Sequence, residues 1–172
     1  MVAVLDLGSN SFILLVQKDG EVILEEVYEV GLKSILNEEE AFKVASEAIS
    51  QIKKKITGAN VYAFGTAVFR ERPALFERIV KSFDLNGEIL SEEEEAFFTY
   101  MSVDPTFQKN ITVLDLGGGS LEIVTKDWFK SLPIGTHVLN SLFDLSLPRM
   151  EQFDEAVKYV EKKLPTIKDP VV

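Results

Sequence analysis

The sequence predicts an α/β protein with mixed sheets, laid out as two similar halves. Three observations carry that reading. Val4-Leu5-Asp6-Leu7-Gly8-Ser9-Asn10-Ser11 returns as Val113-Leu114-Asp115-Leu116-Gly117-Gly118-Gly119-Ser120, with six of eight positions identical at an offset of 109. Each copy is followed by an apolar run, Phe12–Val16 or Leu121–Val124, and then by Lys-Asp, at Lys18-Asp19 and Lys126-Asp127. The elements read in the order βββαβαβα and then βββα, which joins strand meanders to strand–helix alternation.

Each repeat copy reads as strand, tight Gly/Ser turn, strand. A third strand follows in each half, at 22–27 and 128–132. A helix over 38–57 opens with Asn37 and Glu40 in capping spacing. Phe42, Ala45, Ile49, Ile52 and Ile56 share one face of it, and Lys53-Lys54-Lys55 complements the dipole at its end. Val61–Gly65 reads as a buried strand, and Arg70 closes the strand segment Tyr62–Phe69. Pro73 opens a helix that turns Leu75, Phe76, Ile79, Val80 and Phe83 inward. Gly87–Leu90 is a short strand, and a helix from Ser91 runs to about Met101 before the break at Asp104-Pro105. The second repeat starts near Ile111, and a helix near 149–163 follows its strands. His137 reads as a loop or core residue and Trp128 as packing.

The domains are expected at 1–110 and 111–172. The first half spans 109 residues and the second 63, so two strands and a helix of a full repeat are expected to be missing. Asp169–Val172 then reads as a turn and the first residues of a strand. Either the chain stops within a domain or it is a naturally reduced protein.

Composition excludes several classes of function. Hydrophobic residues make up 46% and charged residues 27%, which is ordinary for a globular chain. No apolar run approaches a membrane span, and Met1–Asp6 lacks the basic start of a signal peptide. There is no cysteine and only one histidine, which removes disulfides, thiolate nucleophiles and multi-histidine metal sites. The net charge of −10 argues against bulk attraction to nucleic acid or anionic membrane. A polyanionic ligand needs backbone N–H groups, a few arginines or a divalent cation.

Asp115–Ser120 is the most informative segment. Three glycines after a strand let successive N–H groups converge on an anion, and the Ser120 hydroxyl adds a donor. Asp115 at the strand end can hold a divalent cation or orient a water. Ser9, Asn10 and Ser11 supply donors at the equivalent turn of the first half. A hairpin turn beside an aspartate is the plain alternative, and the pairing of the two copies favours phosphate binding.

Ser91 to Glu95 is an acidic run at a helix start, where acids are ordinarily found. Ser91 and Glu94 fit a capping box, Glu92 and Glu93 fall in the first turn, and Glu95 is the candidate general base. By spacing alone either reading of Glu95 stands. Arg70 can bind phosphate bidentately from a strand end or make a surface ion pair.

These segments, in this order, resemble the exopolyphosphatase/guanosine pentaphosphate phosphohydrolase (Ppx/GppA) family of the actin-like ATPase superfamily. Asp6–Phe12 resembles its first phosphate loop, and Gly65–Arg70 its Ala-Thr-Ser-Ala-x-Arg segment. Ser91–Ala96 resembles Ser-Gly-x-Glu-Glu-Ala, and Asp115–Glu122 resembles Asp-Ile-Gly-Gly-Gly-Ser-Thr-Glu. Ser131–Gly135 is similar to the segment that follows. Ala67, Glu92, Phe97 and Leu121 depart from the family's Ser, Gly, Arg and Thr.

The resemblance implies ribonuclease-H-like domains and a cytoplasmic enzyme that releases terminal phosphate from polyphosphate or guanosine pentaphosphate. It implies Glu95 and Arg70 as catalytic residues, and Ser9, Asn10, Ser11, Gly117, Gly118, Gly119 and Ser120 as the phosphate cradle. Mg²⁺ or another divalent cation is implied near Asp115 and Glu122, and homo-oligomers are implied, with neither membrane nor nucleic acid as partner. Weak or absent hydrolysis is expected of so short a second half. A non-catalytic nucleotide- or alarmone-binding or assembly module is the alternative, and a kinase or general ATPase a third.

Overall fold

The computed structural model describes residues 1–103, 110–145 and 149–172, and the break expected at Asp104-Pro105 lies outside them. These residues form two compact units, Met1–Glu92 and Glu93–Val172. The repeat offset puts its boundary at 110/111, so the two divisions differ in where they assign the helix over 92–103.

The first unit is built on a five-stranded mixed sheet. Strands β1 (Val2–Leu7), β2 (Ser11–Lys18) and β3 (Glu21–Glu29) form an antiparallel meander, and β4 (Asn60–Gly65) and β5 (Asn86–Ile89) add in parallel, in the order β3-β2-β1-β4-β5. Strand alternation sends Ala3, Leu5, Leu7, Phe12, Leu14 and Val16 to one face, where all are buried. Helix α1 (Glu38–Lys55) lays Ala41, Ala45, Ile49 and Ile52 in the same core. Its start is fixed as expected: the Asn37 side chain accepts from the Glu40 N–H at 3.0 Å.

The buried strand expected at Val61–Gly65 is β4, whereas Val68 and Phe69, read as continuing that strand segment, lie in a short helix α2 (Ala67–Glu71). The Thr66 N–H donates to the Leu7 carbonyl at 3.3 Å, and its own carbonyl then takes the Phe69 and Arg70 N–H groups. Ala-Val-Phe is a short apolar run whose pattern suits strand and helix alike. Arg70 therefore stands on a helix rather than at a strand end. Helix α3 (Pro73–Phe83) begins at a proline, as expected, and buries Leu75, Phe76 and Ile79. A Cβ at Gly65 would come within 2.7 Å of the Phe76 ring, so the missing side chain lets α3 lie against the strand end.

In the second unit, β6 (Val113–Leu116), β7 (Leu121–Val124) and β8 (Phe129–Leu132) form an antiparallel meander. Helix α4 (Glu92–Val103) covers one face, packing Ala96 and Tyr100 with Ile111, Val113 and Val124. Helices α5 (Thr136–Phe143) and α6 (Met150–Glu161) serve the other, where Leu139, Tyr159 and Val160 pack on Leu121, Ile123 and Leu132. The sequence pattern missed α5, and His137 is an exposed residue of its first turn. Val171 bridges Thr112 in parallel, with the Val172 N–H donating to the Thr112 carbonyl at 2.9 Å. This matches the parallel pairing of β1 with β4 in the first unit.

Phe69 anchors the first core, with its ring centroid 6.4 Å from Phe12 and 5.3 Å from Phe76, edge-on to the latter. Phe69→Ala is expected to cost about 3–5 kcal/mol, the usual range for a buried phenylalanine. Urea titration followed by a first-unit probe reads this as a lower midpoint at unchanged slope.

Two surface carboxylates add a pH dependence. Glu39 takes both Arg78 Nη donors, at 2.5 and 2.9 Å, and this pairing lowers its pKa from the ordinary 4.5. Glu26 is lowered likewise, first by the Lys55 ammonium and then by the Tyr28 hydroxyl. A carboxylate lowered in the fold stabilises fully above its unfolded value, and that contribution is lost as pH falls through the folded value. Stability should therefore decline below about pH 4.5, with a smaller decline in Glu39→Gln, as both pairs are solvent-exposed. Melting temperatures taken across that window check it.

Candidate functional site

The two repeat copies fold into hairpin turns closed by the same hydrogen bond. Gly8 N–H donates to the Ser11 carbonyl at 3.0 Å, and Gly117 N–H donates to the Ser120 carbonyl at 2.9 Å. The two bonds are related by the 109-residue offset of the sequence repeat.

In each turn the carbonyls are drawn away by the segment after the third strand. In the first unit the Val30 and Gly31 N–H groups both donate to the Asn10 carbonyl at 2.8 Å, and Lys33 N–H donates to Ser9 at 3.2 Å. In the second, Thr136 N–H donates to the Gly117 carbonyl at 3.0 Å and His137 N–H to Gly118 at 2.9 Å. Val30-Gly31 and Ile134-Gly135 are thus counterparts, each leading into a helical turn. Their offset falls from 109 to 104 because β8 is shorter than β3. That shift hides the pair from a search at fixed offset, although an apolar residue followed by glycine after each third strand was there to find.

With the carbonyls committed, the turn amides are left for another acceptor. Among the described residues, the N–H groups of Ser9, Asn10, Gly118 and Gly119 donate to no backbone carbonyl. Such adjacent, unused amides make an anion-binding concavity. Glycines 117–119 do not owe their place to a left-handed backbone, for none has a positive φ. Close packing accounts instead for Gly135: a Cβ there would lie 2.4 Å from Ser120 N and 2.5 Å from the Gly118 carbonyl. Glycine thus meets glycine where the start of α5 presses on the turn.

Strand pairing places the remaining candidates within each unit. Leu7 pairs with Gly65, so Ser9–Ser11 and α2, with Arg70, follow the same end of the first sheet. Arg70 Nη1 donates to the Leu90 carbonyl at 2.9 Å, and Leu90 N–H donates to Gly65 at 2.9 Å. In the second unit Asp115 and Glu122 are cross-strand partners and share a face with Val113 and Val124, the face that α4 covers. Glu122 Oε1 accepts from Ser131 Oγ at 2.9 Å. Glu95 is half-buried on α4, whereas Glu92, Glu93 and Glu94 are exposed.

No group of three or more acidic or histidine side chains suited to a metal occurs among the described residues. Asp115 and Glu122 still suit Mg²⁺, which binds through one or two carboxylates and completes its shell with water and phosphate oxygens. A cleft of about 620 Å³ lies elsewhere in the second unit, between α4 and the Thr125–Trp128 turn. That turn closes the end of the meander opposite Gly117–Ser120. Trp128, expected to pack, is 42% exposed on its rim.

Gly135→Ala has an ordinary φ of −67° to work with, so any effect comes from its methyl. It should move the amide resonances of Gly117–Ser120 and His137, leave those of β1 and β2 in place, and cost about 1–3 kcal/mol as overpacking does. Heteronuclear NMR and thermal melting test both parts.

A profile of the Ppx/GppA phosphatase family matches residues 3–172. The Aquifex aeolicus Ppx/GppA phosphatase, in its type II variant, superposes with a TM-score of 0.70 at 26% identity, over 99% of this chain and 65% of that one. An exopolyphosphatase from Cytophaga hutchinsonii gives 0.71 at 25% identity, over 96% and 64%. The ethanolamine utilization protein EutJ from Carboxydothermus hydrogenoformans gives 0.52 at 19% identity, over 94% and 61%, a likeness of fold alone. The chain therefore spans just under two thirds of these proteins' length, and its fold is that of the actin-like ATPases.

Proposed function

The chain belongs to the Ppx/GppA phosphatase family, and from that premise we propose that it hydrolyses phosphoanhydrides, releasing terminal phosphate from polyphosphate or guanosine pentaphosphate. The observation that carries this reading is the pair of hairpin turns with sequestered carbonyls and unused amides. Backbone amides of that kind bind a phosphoryl group without any excess of basic residues, which suits a chain of net charge −10.

In this reading Ser9, Asn10 and Ser11 form one phosphate cradle and Gly117 to Ser120 form another. Glu95 takes a proton from the attacking water as its oxygen bonds to phosphorus. The bridging P–O bond breaks, and the shortened chain leaves with the electron pair. The Arg70 guanidinium, whose Nη1 donates to the Leu90 carbonyl, stabilises the charge that develops on the oxygens. Positioning and electrostatic stabilisation supply most of the acceleration in such transfers. Asp115 and Glu122 would hold Mg²⁺, which supplies neutralisation of phosphate charge when bound. A phosphate-binding module without turnover is the second reading. Phe97 favours it, being 57% exposed at the position where relatives of this type carry an arginine.

Glu95→Gln should lower phosphate release by about 10²–10⁴-fold at unchanged melting temperature. The measurement is phosphate release from polyphosphate, guanosine pentaphosphate and ATP, with and without Mg²⁺. Saturable phosphate binding with no release from any substrate would replace hydrolysis by the second reading.

A further inference from the structure

We propose that Arg72 is a positioning residue for the first phosphate turn, acting through the segment that holds that turn. The proposal rests on the reading of Ser9–Ser11 as a phosphate site. Arg72 joins α2 to α3, and its side chain is only 16% exposed. Its Nη1 donates to the carbonyls of Leu32, at 3.3 Å, and Ile35, at 3.0 Å, while Nε donates to Glu38 Oε1 at 2.6 Å. One guanidinium thus ties together the 3₁₀ turn Leu32–Ser34 and the first residue of α1.

That 3₁₀ turn belongs to the segment whose N–H groups hold the Ser9 and Asn10 carbonyls. Leu32 itself is fully buried, so the segment is pinned from below by its side chain and from the side by Arg72. If the segment shifts, the peptide planes that carry these carbonyls are free to rotate, and the Asn10 and Ser11 amides in those planes lose the orientation that a phosphate needs.

The second unit shows why the first requires such a clamp. There the same job falls to α5, a helix of 8 residues that propagates its own hydrogen bonds and packs Leu139 into the core. In the first unit the corresponding helix has 3 residues, too short to be stable by itself. Arg72 supplies from outside what a longer helix supplies from within. A lysine cannot replace it, because an ammonium lacks the planar fork that reaches two carbonyls and a carboxylate at once.

The test uses the whole chain with Arg72→Gln and Arg72→Lys, and Arg78→Gln as a control at a neighbouring surface ion pair. Amide hydrogen exchange and ¹⁵N chemical shifts report the segment, and titration with inorganic phosphate reports the turn. Both Arg72 variants should speed exchange at Val30, Gly31 and Lys33 by about tenfold or more, the order expected when hydrogen bonds to a charged group are lost. They should also shift the Asn10 and Ser11 amides and weaken phosphate binding, while the core amides of β1 and β4 and the Gly117–Ser120 turn stay as they were. Arg78→Gln should do none of this. Unchanged exchange at 30–33, or a uniform rise through the first unit in Arg72→Lys, would overturn the proposal. Absence of phosphate from the turn in the parent chain would overturn the phosphate reading, and with it the functional part of the proposal. The exchange data would still decide whether Arg72 holds the segment.

Discussion

The shape of the two repeat turns depends on where their carbonyl oxygens point. A peptide plane carries its N–H and C=O on opposite sides, so fixing one fixes the other. The Ser9, Asn10, Gly117 and Gly118 carbonyls are each taken by an amide of the segment that follows a third strand. Those bonds orient the peptide planes, and the planes present N–H groups on the other side. In the proposed function it is these N–H groups that let an acidic chain hold an anion, with the side chains left to select and to react.

The same bonds explain which glycines matter. The triple glycine draws attention in the sequence, but its backbone angles are ordinary. Gly135 is inconspicuous in the sequence, yet a methyl group there would overlap the turn. The close approach of the α5 start to Gly118 is what brings the Thr136 and His137 amides within reach of their carbonyls. At Gly135 glycine serves through absent volume, whereas Gly31, at φ 55°, serves through the left-handed backbone that it alone adopts readily.

Much of the fold was legible because it rests on local signals. The repeated octapeptide marked both hairpins, Asn37 and Pro73 marked helix starts, and the apolar face of 38–57 marked α1. What was not legible depended on tertiary context. Ala67-Val68-Phe69 fits a strand or a helix, and the choice is made when Thr66 bonds to Leu7 on the neighbouring strand and its carbonyl starts a helical turn. Helix α5 begins directly after the close-packed Gly135, a contact invisible without the Gly118 turn beside it. Of the candidate site, the turns were legible as a pair; Gly31, Gly135 and Arg72 were not, because each acts on a segment distant in sequence, Gly31 and Arg72 through hydrogen bonds and Gly135 through close packing.

The two units solve one problem with unequal means. Both hold a turn by its carbonyls with amides of the segment after the third strand, those of Val30, Gly31 and Lys33 in the first unit and of Thr136 and His137 in the second. The second spends a full helix on the task and keeps its third strand to 4 residues; the first has a 9-residue third strand and a single helical turn. A long strand and a short helix leave the first turn dependent on a side chain from the α2–α3 junction. Arg70, two residues earlier on α2, reaches the Leu90 carbonyl at the end of β5. One short helix therefore sends one arginine toward the sheet's end and another toward the segment that shapes the phosphate turn. Its register, set by the Thr66 carbonyl, couples the two.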